Sequence, residues 1–371
     1  MSRKPELTNK EKNTLIVGIH APYNKSHDIN SYFEEFKNLV KTNQKSYEDE
    51  LFIKLRDIDA ATFIGSGQLD KVKNICKEKS IERVIISEPL TVQQERNIAD
   101  VLNCEVVDRT ELILEIFDKA AVSAEGKLQV EIAILRHRKS RLAGRGIHLS
   151  QQEGRIGGRG PGETAKEVAA RHINERITNC RKQLEKLETT RETQRKKRLS
   201  TALPLACLIG YTNAGKSTIL NTLTKSNVLA EDKLFATLDT TTRELFIDHK
   251  KFGLISDTVG FIQELPHQLI EAFKSTLSEL KYADLLLHVV DISDKNWQTQ
   301  IEVVHELLEE LDLQRDMIYV FNKADKVAEI PKEVENYQPH VIISALDKET
   351  IQPLKNYLEE WKRIQNEAKI Q

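Results

Sequence analysis

Between residues 14 and 122, short apolar runs alternate with stretches whose apolar residues recur at helical spacing. The runs are Leu15-Ile16-Val17-Gly18-Ile19, Ala61-Thr62-Phe63-Ile64, Val84-Ile85-Ile86-Ser87 and Glu105-Val106-Val107. Residues 66–79 and 91–102 read as helices between them. Strand and helix in turn predict a parallel sheet covered by helices. The period then changes. Leu128, Ile132, Leu135 and Leu142 recur at helical spacing, and after a break Ile173, Ile177, Cys180, Leu184 and Leu187 recur at alternating steps of four and three. That is a two-helix seam, read as an antiparallel helical hairpin. From residue 203 the first rhythm returns, with apolar runs at 204–209, 252–256, 284–291, 317–321 and 341–343 and a closing helix over 348–366. The fold class is α/β: two parallel-sheet domains joined by an antiparallel helical hairpin. The boundaries are an N-terminal α/β domain over 1–126, a hairpin over 127–200 and a second α/β domain over 201–371.

Length agrees with several units, since 371 residues exceed one ordinary domain. Net charge is only −2, which excludes a polybasic binder overall. The charge is uneven, however. Residues 127–200 hold 19 Lys and Arg against 8 Asp and Glu, so the hairpin is basic between acidic flanks. Its tip, residues 144–162, holds seven of the chain's fifteen glycines together with Arg145, Arg155 and Arg159. A basic, glycine-rich tip suits contact with a polyanion; the same composition would serve an unstructured linker. Arg195-Lys196-Lys197-Arg198 reads as a linker into the last domain. Cys76, Cys104, Cys180 and Cys207 form no CxxC pair, so zinc and a disulfide framework are both disfavoured. No signal-peptide pattern opens the chain and no apolar run is long enough to span a bilayer, which points to the cytoplasm.

The last domain carries the chemistry. Residues 210–217 read GYTNAGKS, fitting G-x-x-x-x-G-K-[ST], and stand between a strand and a helix opening at Ser217-Thr218. Gly210 and Gly215 let the N–H groups of Tyr211, Thr212, Asn213 and Ala214 curl around phosphates. Lys216 reaches the β and γ phosphates, and the Ser217 hydroxyl suits Mg2+. Asp257-Thr258-Val259-Gly260 fits D-x-x-G, with Asp257 holding magnesium through water and the Gly260 N–H meeting the γ-phosphate. Asn322-Lys323-Ala324-Asp325 follows a strand. Its Asp325 can accept from guanine N1–H and the 2-amino group, two donors that adenine lacks. Ser344-Ala345 follows the next strand, where a backbone N–H could meet guanine O6. Four signatures in order, each at a strand's C-terminal end, point to a GTP-binding site. Phe261 stands where many GTPases carry the glutamine that orients the attacking water, and Gln263 lies two positions on. Asn213 suits a turn within the loop.

Residues 203–371 resemble the translation-factor class of GTPases, and nearly the whole chain resembles the HflX family. The residues that carry this are Leu234-Phe235-Ala236-Thr237-Leu238-Asp239, Ala61–Gly67, Asp108–Leu114, Glu125–Glu131 and Gly157-Gly158-Arg159-Gly160-Pro161-Gly162-Glu163-Thr164. The resemblance implies that Thr237 contacts magnesium and the γ-phosphate. It implies catalysis by Lys216, Thr237 and Gly260, with Asn213 matching a potassium-ligating asparagine of related GTPases. It further implies a partner, the large ribosomal subunit, with the tip arginines against its RNA. GTP would favour binding and the separation or rescue of ribosomes, and hydrolysis to GDP would permit release by a protein that is monomeric when free. Other readings stay open: a ribosome-assembly GTPase, a switch whose N-terminal domain binds a protein or small molecule, and a second nucleotide site at Gly65-Ser66-Gly67.

Overall fold

Buried strands organise both sheets. The computed structural model describes residues 12–24, 29–43, 46–144, 165–199, 203–224, 233–235, 238, 240–247, 250–263, 278–347 and 349–368. It divides into two units, Met1–Ile116 with Ile134–Glu175, and Phe117–Ala133 with Arg176–Gln371. In the first, β1 (Thr14–His20), β2 (Asp49–Lys54), β3 (Arg83–Ile86) and β4 (Glu105–Val107) form a parallel sheet in the order β2-β1-β3-β4. Helices α1 (Ile29–Thr42), α2 (Ser66–Glu78), α3 (Val92–Leu102) and α4 (Arg109–Ala120) connect or follow the strands. α3 is stopped sharply at both ends. Thr91 and Gln94 close a capping box, and Asn103 ends the helix in a left-handed turn.

One expectation is corrected here. Ala61–Ile64 is not a strand: Phe63 has φ 62° and bridges back to Asp59, whose carboxylate accepts from the Ala61 and Thr62 N–H groups. The apolar pair Phe63 and Ile64 is buried by a turn rather than by a sheet. The strand that fills the place is β2, at the sheet edge, where only Ile53 is fully buried. The motif Asp108–Leu114 has a structural use in this unit. Asp108 accepts from the Glu111 and Leu90 N–H groups, capping the first turn of α4. Arg109 is fully buried, paired with Glu35 at 2.5 Å and lying over the Tyr32 ring.

Helices α5 (Ala124–Gly144) and α6 (Ala165–Leu199) flank the basic tip. Arg176 of α6 pairs with Glu131 of α5 at 2.6 Å, and Ile177 and Cys180 are the buried residues of that stretch of α6. α6 runs on to Leu199, so Arg195–Arg198 is helix and not linker. Arg145, Arg155 and Arg159 lie outside the described residues. No helix among the described residues is long and apolar enough to cross a membrane.

The second sheet has the order β10-β9-β8-β5-β7-β6. Its strands are β5 (Leu205–Gly210), β6 (Thr241–Ile247), β7 (Lys250–Asp257), β8 (Leu285–Asp291), β9 (Asp316–Asn322) and β10 (His340–Ile342). All pairings are parallel except β6 with β7, an antiparallel edge hairpin that the apolar runs did not announce. Alternation divides the interior. Leu285, Leu287 and Val289 face one core with α7 (Lys216–Thr224) and α9 (Gln352–Ala368). Val290 joins Tyr319 and Phe321 in another with α8 (Trp297–Glu310).

His288 sits inside this apolar strand. It is 1% exposed, its ring lies 5.4 Å from that of Tyr319 and 5.6 Å from that of His305, and Nδ1 has no hydrogen-bond partner among the described residues. Burial pushes its pKa down to about 3, helped by His305 and Lys216. The unfolded chain, with a histidine near pH 6.5, then binds the proton more readily than the folded one. Stability is therefore complete above that pH and falls as pH drops, by about 1.4 kcal/mol per unit until the folded pKa is reached. His288→Leu should flatten this limb, retaining about 2 kcal/mol more of its neutral-pH stability at pH 5 than the parent retains. Urea unfolding at pH 7 and pH 5 measures it, and an equal loss in both proteins would place the acid sensitivity elsewhere.

Candidate functional site

β5 is buried along its whole length and lies mid-sheet, so its C-terminal end opens where parallel α/β sheets bind ligands. The chain turns there through Gly210 (φ 142°) and Gly215 (φ 98°) into α7. A side chain at either glycine would collide, with the Val289 carbonyl at one and the Asn322 side chain at the other. The loop thus presents N–H groups and a helix N-terminus, the arrangement that attracts phosphate. Lys216 is buried and donates to the carbonyls of Gly210 (3.0 Å) and Tyr211 (2.8 Å). Burial pulls its pKa down to about 8, against the opposing pull of Asp257. A phosphate beside it would restore the charged form. Thr212 Oγ1, in the same loop, is buried with no hydrogen-bond partner among the described residues.

Ser217 Oγ donates to Asp257 Oδ2 at 2.6 Å, and Asp257 is fully buried. A hydroxyl and a carboxylate at this spacing are hard oxygen donors of the kind magnesium takes beside phosphates, so the pair fits that ion. Thr237 lies outside the described residues, although its neighbours Leu234, Phe235 and Leu238 are buried. Asn213 is exposed with φ 62°. The left-handed turn by itself favours asparagine there.

The guanine signatures meet the phosphate loop through one side chain. Asn322 Nδ2 donates to the Ala214 carbonyl (2.8 Å), and its Oδ1 accepts from the Ala345 N–H (2.9 Å). Asn322 therefore braces three loops against one another. Asp325 is exposed, with one carboxylate oxygen held by Ser344 Oγ at 2.5 Å. Lys323, in the left-handed region, pairs with Asp291 at 2.7 Å. One expectation shifts. The Ser344 and Ala345 N–H groups are taken by Thr350 Oγ1 (3.0 Å) and Asn322 Oδ1, so neither is spare for guanine O6. Thr350, Asp291 and Thr222, which donates to the Ala345 carbonyl at 2.9 Å, were missed from the sequence. They lie outside every motif and act by holding motif residues still.

This architecture has known counterparts. A family model described as GTP-binding GTPase N-terminal matches residues 30–118, one described as GTP-binding GTPase Middle Region matches 120–198, and one described as 50S ribosome-binding GTPase matches 205–323. The GTPase HflX of Lacrimispora saccharolytica is 42% identical over 362 residues, 97% of this chain and 85% of that protein. The GTPase HflX of Caldanaerobacter subterraneus is 43% identical over 327 residues, 88% and 76% of the two chains. That of Escherichia coli K12 is 39% identical over 334 residues, 89% and 78%. A crystal structure of the SsGBP and GDP complex, 24% identical, superposes with a TM-score of 0.52 over 95% of this chain and 98% of that one, a likeness of fold. With a complete phosphate loop at the sheet's centre and near-full-length relatives above 40% identity, the chain is a GTPase and belongs to the HflX family.

Proposed function

We propose that this GTPase binds the large ribosomal subunit and promotes the separation or rescue of ribosomes, with GTP hydrolysis driving release. The observation that carries the reading is the middle region. One chain joins a GTPase domain, matched by a model of 50S ribosome-binding GTPases, to paired helices that flank the basic, glycine-rich residues 144–162. Glycines allow a backbone to approach RNA closely, and Arg145, Arg155 and Arg159 supply phosphate contacts and stacking.

At the nucleotide, residues 210–218 cradle the phosphates, with Lys216 toward the β and γ groups and the Gly260 N–H on the γ-phosphate. Asp325, steadied by Ser344, accepts from guanine N1–H and its amino group. Asn322 and Lys323 shape the pocket beside Ser344 and Ala345. Ser217, Asp257 and Thr237 would hold magnesium, which supplies charge compensation on the β and γ phosphates. Water attacks the γ-phosphorus, the bond to the bridging oxygen breaks, and GDP leaves. The reading places a free monomer in the cytoplasm.

Sedimentation tests it. Ribosomes incubated with the protein and a non-hydrolysable GTP analogue should resolve into subunits, with the protein on the large one. Intact ribosomes, with binding confined to immature large subunits, would favour an assembly role. Replacing Arg155 and Arg159 by Ala should leave ribosome-free hydrolysis intact. It should weaken subunit binding and lower its salt dependence by about one unit of slope per lost phosphate contact. A double mutant that binds and splits normally would make the tip a passive connector.

A further inference from the structure

Tyr211 ties the phosphate loop to the segment that follows Asp257. Its ring is 5% exposed, and its hydroxyl accepts from the Gln263 N–H at 2.8 Å. The backbones meet as well: the Thr212 N–H donates to the Phe261 carbonyl (2.8 Å), and the Phe261 N–H donates to the Gly210 carbonyl (3.2 Å). Tyr211 and Phe261 thereby form a parallel bridge that prolongs the pairing of β5 with β7 beyond the sheet. Val259, Phe261, Ile262 and Gln263 are all buried. Between them Gly260 lies directly on the loop. A methyl group added there would stand 2.8 Å from Thr212 Cα and 3.0 Å from Lys216 Nζ. A γ-phosphate bound by both Lys216 and the Gly260 N–H needs an oxygen about 3 Å from each. The strip therefore lies close on the loop, with no room for even a methyl group between Gly260 and Thr212.

We propose that Tyr211 sets the balance between GTP and GDP: its hydroxyl fastens Gly260–Gln263 down where a γ-phosphate must lift it, whereas GDP, which lacks that group, leaves it in place. The fastening is a discriminator built into the phosphate loop by a residue whose hydroxyl is turned to Gln263. Breaking it is part of every GTP-binding event, and closing it again accompanies loss of the γ-phosphate. The inference rests on GTP and GDP occupying this loop; a parent protein that binds neither would overturn that premise rather than the role of Tyr211.

Tyr211→Phe keeps the buried ring and removes only the hydroxyl. The ratio of affinities, non-hydrolysable GTP analogue over GDP, should rise about threefold to tenfold, the worth of one buried neutral hydrogen bond. Competition of each nucleotide against a fluorescent GDP measures it with the full-length protein. A role confined to packing would move both affinities together and leave the ratio still. Because the ratio is read within one protein preparation, a general loss of stability does not mimic the effect. Tyr211→Leu, which also lacks the hydroxyl but not the apolar bulk, should shift the ratio in the same direction. A ratio that is unchanged or lowered in both variants overturns the proposal.

Discussion

Asp325→Asn is expected to weaken GTP binding about a thousandfold and to turn the protein toward xanthosine triphosphate. The carboxylate offers two acceptors to the two donors on guanine's edge, and one of its oxygens is oriented by Ser344 Oγ at 2.5 Å. Hydrogen bonds to a charged acceptor are worth about 2 kcal/mol each, so losing both costs ~4 kcal/mol, or roughly three decades of affinity. The amide makes matters worse by pointing a donor at a donor. Xanthine carries a carbonyl where guanine has the amino group, so that same donor becomes useful and the new nucleotide gains what GTP loses. The phosphate loop is untouched, and Asn322 still bridges Ala214 to Ala345. Competition between GTP, ATP and xanthosine triphosphate for the mutant reads the switch. GTP affinity equal to that of the parent would remove Asp325 from base recognition.

What could be read from the sequence follows the burial of each element. β5 and β8 are buried along almost their whole length, so they appear as largely apolar runs, with His288 the one interior break in β8, and were legible almost to the residue. β2 and β6 are edge strands with few buried positions, and their mixed polarity hid them. Ala61–Ile64 misled for the opposite reason: Phe63 and Ile64 are buried, but a left-handed residue turns the chain there, and apolar content alone does not report φ. The basic run at 195–198 resembled a linker because it carries no apolar residue, and apolar spacing was the only helix signal used. The nucleotide motifs were legible because phosphate binding fixes residue types at fixed spacing. Their supports were not. Thr350, Thr222 and Asp291 reach the site from positions that only the folded chain brings near, and any of many polar residues could serve there.

Hydrolysis by the isolated protein should be slow, and large ribosomal subunits should raise it on the order of a thousandfold, the scale of an activator that completes a GTPase site in trans. The reason lies in residue 261. Phe261 is apolar and 3% exposed, and both its N–H and its carbonyl are spent on the phosphate loop, so it cannot orient water. Gln263 is no ready substitute, since it stands two positions further on and would need a different loop path to reach the attacking water. Help must then come from outside the loop, and two sources are open. The subunit could order the segments around Thr237 and Gly260. A potassium ion could bind at Asn213, which is exposed at the mouth of the loop, and offset charge developing between the β and γ phosphates much as an arginine finger does. Comparing turnover with and without large subunits, in potassium and in sodium, separates them. If potassium acts, the stimulated rate in sodium should fall by at least tenfold and Asn213→Ala should erase the difference. Equal stimulated rates in the two salts would leave the subunit as the sole activator, with Asn213 there for its left-handed turn. Rapid turnover by the free protein in sodium would defeat both sources and return attention to Gln263.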